Sequence, residues 1–184
     1  MKIYHLNFDV SMQYEALAFD KVDLDLIKSF SGIEKKEFWE PLRVKRMYGD
    51  REFSNAPYLV VNIPVVDYKA MKALDTLLTD NAELLPLACN DGEFFAVNIT
   101  SVADVLDYDK SDYTKFSYGN RIMNITNYAF HEDKVKNIDL FKLVDEPLKR
   151  AFVSERFKQR VEEQGLTGFK FELVWDSEES LETE

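Results

Sequence analysis

Residues 67–99 read DYKAMKALDTLLTDNAELLPLACNDGEFFAVNI, and this stretch decides the fold. Asp67 suits a helix N-cap, because its carboxylate can accept from the free amides of a first turn. Behind it Ala70, Leu74, Leu77 and Leu78 recur at helical spacing, with Met71 and Ala73 flanking, which predicts a helix over about 67–79. Asp80 and Asn81 suit its end. From Leu84 the texture changes. Leu84-Leu85-Pro86-Leu87 reads as a short strand, and Asn90-Asp91-Gly92 is a turn signature, since these residues tolerate positive φ. Phe94–Ile99 follows as a second strand, so the pair is expected to form a hairpin.

Working outward, residues 2–9 are rich in aromatic and branched side chains and read as an opening strand. Val22, Leu24 and Leu26 alternate with Asp23 and Asp25, the pattern of a half-buried strand. Pro41 pushes Glu40 toward an extended conformation, so a turn or the start of a strand is expected there. Tyr58–Val66 is a branched apolar run read as a strand ended by Pro64. Beyond the hairpin, residues 104–112 form an acidic loop, and Arg121–Phe130 and Ile138–Val144 are strand candidates. Pro147 breaks the chain and Ala151–Val153 resumes it. Ser154 can cap a second helix, about 154–164, with Phe157 and Val161 as its apolar stripe and Gly165 at its left-handed end. Phe169, Phe171, Leu173 and Trp175 then alternate with polar or smaller residues, as in a half-buried strand.

These elements predict an α+β fold, a largely antiparallel sheet with a few helices, and not a regular βαβ alternation. The chain has 184 residues, which suits one domain, expected over 1–175. An acidic tail, 176–184, is expected to be disordered.

The net charge is −11. An acidic protein repels nucleic acid and anionic membranes, so neither is an expected partner, whereas a basic protein is attracted. The charge is uneven. Asp176, Glu178, Glu179, Glu182 and Glu184 crowd the tail. The stretch 35–51 runs the other way, with Lys35, Lys36, Arg43, Lys45, Arg46 and Arg51 against Glu37, Glu40 and Asp50. It lacks the clustered glycines or helix start of a phosphate site and reads as solvated surface. The N-terminus carries no signal-peptide pattern, no stretch approaches the roughly 20 apolar residues of a membrane helix, and the single cysteine, Cys89, rules out an internal disulfide. A cytoplasmic location is expected.

No catalytic motif emerges, and the chain is not expected to be an enzyme. His5, His131 and Cys89 are too far apart in sequence for a short-spaced zinc motif, and no metal site or cofactor is expected. In the acidic loop only Asp107 and Asp109 fit the alternate spacing of a calcium loop, and the loop has no Gly. Cys89 follows an apolar strand and reads as an inert packing residue. The glycines are scattered, so no phosphate loop or nucleophile elbow occurs. Trp39 and Trp175 read as packing residues, with interface anchoring as the sharper alternative.

The ordered set Phe38-Trp39-Glu40-Pro41, the helix with Leu74 and Leu77, Glu83-Leu84-Leu85-Pro86-Leu87 and Phe95–Thr100 continues with Val105-Leu106-Asp107 and Ser111. It goes on through Leu140-Phe141-Lys142-Leu143, Phe152-Val153-Ser154-Glu155-Arg156-Phe157 and Gly165-Leu166-Thr167-Gly168-Phe169 to Val174-Trp175. This set resembles the eleventh immunity-protein family of bacterial polymorphic toxin systems over about 38–175. Residues 1–37 match nothing in that pattern, and Asp67 stands where a serine usually begins the helix. The resemblance implies a cytoplasmic protein that neutralises a cognate protein toxin by binding it. It carries over no catalytic residues. A basic nuclease would suit the acidic surface, since opposite charges speed encounter. The contact region expected from the sequence is the acidic loop, with Asp104, Asp107, Asp109 and Asp112, because it is polar and flanked by rigid strands. An intracellular binding domain with another partner and a carboxylate-dependent enzyme are the rival readings. Oligomeric state is left open by the sequence.

Overall fold

The computed structural model describes residues 1–21, 24–59 and 63–178. Among them lie 4 α-helices and 12 strands, and the fold is α+β. The first sheet has the order β12 (Phe169–Asp176), β1 (Lys2–Phe8), β11 (Phe152–Ser154), β10 (Leu140–Leu143) and β7 (Val102–Ala103). The second has the order β2 (Leu17–Phe19), β3 (Leu42–Arg46), β5 (Ala82–Ala88), β6 (Phe94–Ile99) and β4 (Val65–Asp67). A separate hairpin pairs β8 (Asp112–Lys115) with β9 (Ile122–Asn127). Pairing is antiparallel except for β10 with β7 and β3 with β5.

Local chemistry explains the elements that the sequence announced. Helix α2 (Tyr68–Leu78) begins where the Asp67 carboxylate accepts the Ala70 N–H at 2.7 Å. Its buried face is Ala70, Leu74, Leu77 and Leu78. Burial of each leucine stabilises the fold by roughly 2 kcal/mol. Strands β5 and β6 form the expected hairpin, with Ala82 opposite Ile99 and Leu87 opposite Phe94. After the one-turn helix α3 (Glu132–Val135), helix α4 (Glu155–Glu163) starts where Ser154 Oγ accepts the Phe157 N–H at 3.1 Å.

Three sequence expectations are corrected. Leu24–Lys28 forms a short helix, α1, not a strand; Val22 and Asp23, which began the alternation, lie outside the described residues. Leu24 is 65% exposed and no residue of α1 is buried, so the alternation had no half-buried sheet face to report. Pro64 lies directly before β4, as suits a residue without an N–H to donate to a ladder; Val60, Val61 and Asn62, the middle of the expected strand, lie outside the described residues. In β12 the alternation breaks: Ile3 faces Trp175 while Tyr4 faces Leu173, a bulge that leaves Leu173 46% exposed and packs Val174 against the core. The expected tail is described only to Glu178; residues 179–184 lie outside the described residues.

The first sheet is covered on both faces. On one, Tyr4, Leu6, Val153 and Leu140 meet Leu74 and Leu77 of α2, Phe157 and Val161 of α4, and Val97 and Ile99 of β6. This cluster joins the two sheets through the helices, and Arg160 adds a hydrogen bond to the Ala73 carbonyl. On the other face Ile3, Phe141, Phe152 and Trp175 pack against Val105, Leu106, Ile122, Ile125 and Phe130. Phe130 meets Phe141, Phe152 and Trp175 edge-on, with centroids 5.6–6.0 Å apart. The second sheet's far face buries Leu17, Val44, Val65, Leu85 and Phe94 with Phe30 and Leu59. Trp39 packs edge-on to Phe30 and donates to the Pro86 carbonyl, so both tryptophans serve packing.

A second join lies at the start of β12. Asn55 and Thr167 exchange hydrogen bonds, Ala56 N–H donates to the Thr167 carbonyl, and Asp9 N–H donates to the Gly168 carbonyl. Gly168 has φ +90°, and a Cβ there would lie 2.5 Å from the Ala56 carbonyl oxygen. Gly165 also has positive φ, +57°, but its Cβ position is open. Gly168→Ala should therefore cost about 3 kcal/mol, through strain plus collision, and Gly165→Ala only about 1 kcal/mol. Urea unfolding of the two variants checks this; equal losses would contradict the close approach.

Candidate protein-binding surface

The acidic segment is held by its apolar residues. Val105 and Leu106 are buried in the aromatic cluster, and Leu106 bridges to Phe130. Asp107 N–H donates to the Ala129 carbonyl, His131 N–H donates to the Val105 carbonyl, and the Ala129 N–H donates to the Ser111 hydroxyl at 2.9 Å. Two buried apolar side chains, the buried Ser111 hydroxyl and several backbone bonds thus fix the loop.

Asp104, Asp109 and Asp112 are exposed, as the sequence led one to expect of a contact loop. Asp107 differs. It is half-buried, accepts the Asp109 N–H at 3.1 Å and lies 3.9 Å from His131 Nδ1, so its carboxylate shapes the turn. Asp112 stands apart from the turn, opposite Asn127 at the start of the hairpin. What the sequence did not reveal is Tyr108. Its hydroxyl donates to Asp145 at 2.8 Å and lies 3.5 Å from Asp104, which gathers two carboxylates from separate segments around one phenol. Burial and these carboxylates push the Tyr108 pKa well above the usual phenol range, so it stays a neutral donor. Tyr113 meets Tyr108 edge-on at 6.1 Å. The face is therefore acidic with an aromatic centre, and exposed Val144 adjoins Asp145.

Beside it a groove of about 720 Å³ opens where the covering layer stops short of the first sheet. It is lined by Asn124–Tyr128, Glu146, Leu148–Arg150 and Glu172–Val174, with His5 at its side. Its charges are matched in pairs. Glu146 is bound by Lys149 and accepts from the Tyr128 hydroxyl, and Arg150 bonds Glu172 at 3.1 Å. His5 is buried against Phe152 and Tyr128, and its Nδ1 has no hydrogen-bond partner. Burial, with Arg150 nearby, pushes its imidazole down to about 4.

Lys142 is another buried ionisable group. Its amine donates to the Phe30 and Pro147 carbonyls, and burial lowers its pKa to about 8. Cys89 is half-buried against the second sheet's core. The basic stretch 35–51 lies on a surface where Arg43 and Lys45 reach Asp20, and Arg46 is drawn inward to the buried Glu15. Among the described residues no three His, Cys, Asp or Glu side chains converge on a possible metal position, and no helix is long and apolar enough to cross a membrane.

Residues 88–176 match the sequence model of the immunity protein family Imm11. The matched segment runs from the end of β5 to the end of β12 and contains the acidic loop, the β8–β9 hairpin, the groove and α4. The earlier segments of the resemblance, from Phe38 to Leu87, precede it. A search of the curated proteins finds no match. The C-terminal half of the chain is thus similar to Imm11 proteins, and the exposed Asp104, Asp109 and Asp112 and the half-buried Asp145 all fall in the Imm11-like part.

The His5 environment yields a pH test. In the unfolded chain the imidazole titrates near 6.5, and in the folded chain near 4. The unfolded state therefore binds more protons between these values. The contribution to stability is present above pH 6.5 and is lost as pH falls toward 4. His5→Phe keeps a ring against Phe152 and Tyr128 and removes the proton site. Its melting temperature should fall by several degrees less than that of the unaltered chain between pH 7 and pH 4.5. Identical pH slopes would contradict the burial of a neutral imidazole.

Proposed function

We propose that this chain is an immunity protein that binds a cognate bacterial toxin in the cytoplasm of the producing cell and blocks it by occupancy. The observation that carries this reading is the Imm11 match over residues 88–176. The exposed acidic face supports it. Asp104 and Asp145 flank Tyr108, and Asp109 and Asp112 add exposed charge along the same segment, which is fixed from beneath, so ordering the surface on binding costs little. Asp107 contributes by holding the turn and is not a contact in this reading. A chain of net charge −11 attracts a basic partner, and a toxin that cleaves nucleic acid has reason to be basic. No catalysis by the immunity protein enters this account.

Co-expression with the product of the gene immediately upstream tests the reading. Cells carrying both should survive and yield a stable complex; death of cells carrying both, with no complex formed, would contradict it. The electrostatic part has its own check. The double variant Asp104→Lys, Asp109→Lys should slow association about tenfold at low salt and change dissociation less. Association rates indifferent to both salt and these charges would remove the acidic face from the mechanism.

A further inference from the structure

The β8–β9 hairpin belongs to neither five-stranded sheet, and its tip is not used by the core. The turn runs Phe116-Ser117-Tyr118-Gly119-Asn120-Arg121, closed by the Phe116 N–H donating to the Arg121 carbonyl at 3.1 Å. Tyr118 is 95% exposed, and Phe116 and Met123 are close to half-exposed. An aromatic ring left in water at a turn contributes nothing to folding. The base of the hairpin, by contrast, is firm: Ile122 and Ile125 are buried in the aromatic cluster.

The charge of the hairpin is as unusual as its exposure. From Tyr113 to His131 there is no Asp or Glu, in a chain with 34 of them, while Lys115 and Arg121 supply positive charge. The Arg121 guanidinium lies 5.3 Å from the Phe116 ring centroid, and the Lys115 amine 5.6 Å from that of Tyr113. Both cations are therefore partly ordered before any partner arrives. Tyrosine and arginine are the residue types that concentrate binding energy at protein interfaces.

We infer that this hairpin is a docking finger, and that its tip, Phe116, Tyr118 and Arg121, enters a cleft with an acidic floor on the partner toxin. The inference rests on the immunity reading and specifies the partner. Tyr113 belongs to β8 and stacks edge-on with Tyr108 of the acidic face, so finger and face form one continuous surface of two signs. The complementary surface is a cleft with carboxylates at its floor and cations around its rim. An enzyme that holds divalent metal by carboxylates and grips a phosphate backbone by cations has that arrangement. The finger blocks such a floor while the acidic face pairs with the rim.

Binding of purified variants to the product of the gene immediately upstream, measured by titration calorimetry, tests this. Tyr118→Ala and Arg121→Glu should each weaken the dissociation constant by about 30-fold or more. Arg121→Ala should weaken it less than Arg121→Glu, because a carboxylate would face the acidic floor. Phe38→Ser, at an 84% exposed aromatic in the 3₁₀ turn Lys36–Phe38, should leave binding unchanged. Tip variants that bind as tightly as the unaltered chain would overturn the finger and leave the immunity reading standing. An unaltered chain that fails to bind would overturn both.

Discussion

Strand β11 is three residues long, yet its Phe152 and Val153 point into two different cores. Burial of the first sheet on both faces is the constraint on which the rest depends. On the Val153 side, helices α2 and α4 fill the space between the two sheets. On the Phe152 side, Phe130, Phe141 and Trp175 close an aromatic cluster over which residues 105–130 must lie. Remove the aromatic cluster and the acidic loop loses Val105 and Leu106 as anchors, and the hairpin loses Ile122 and Ile125. The candidate surface is thus the outer side of a layer whose inner side is core. That arrangement joins a rigid base to exposed charge, which is what rapid, specific binding requires.

The two signs on that surface come from separate physical causes. The carboxylates of Asp104, Asp107, Asp109 and Asp145 stand on loops and turns, where a short acidic side chain can cap a backbone N–H, as Asp107 does, or remain in solvent, while Asp112 opens β8. The hairpin is a pair of half-exposed strands whose outward positions tolerate any polar residue, and beyond Asp112, at the start of β8, they hold none that is acidic. The groove beside them shows the opposite design. Glu146 with Lys149 and Glu172 with Arg150 leave it balanced, its four charged side chains occupied with one another.

Much of the fold was legible because its decisive signals are local. Asp67 and Ser154 cap the helices named from the sequence, and Asn90-Asp91-Gly92 turns the hairpin between β5 and β6. What was illegible depends on distant partners. The pattern of Val22, Leu24 and Leu26 had strand period, but a five-residue helix with no buried face is set by its neighbours and not by its own hydrophobicity. The parallel pairings of β3 with β5 and β10 with β7 leave no local trace. The bulge at Val174 shifts a register that looked regular. At the candidate surface the acidic loop was visible as composition, but Tyr108 gains its role from Asp145, 37 residues on. Strand β8 escaped because Asp112, Thr114 and Lys115 are exposed and alternate with nothing apolar but Tyr113. The missing carboxylates between Tyr113 and His131 were the signal that could have exposed the finger.

Hydrogen–deuterium exchange of the chain, alone and with the upstream gene product bound, tests the central claim most directly. Amides of residues 104–121 should gain protection in the complex, while α2, α4 and the strands of the second sheet should keep their free-state rates. Protection confined to the 35–51 surface or the α2–α4 side, with 104–121 unchanged, would contradict the assignment of toxin binding to this face.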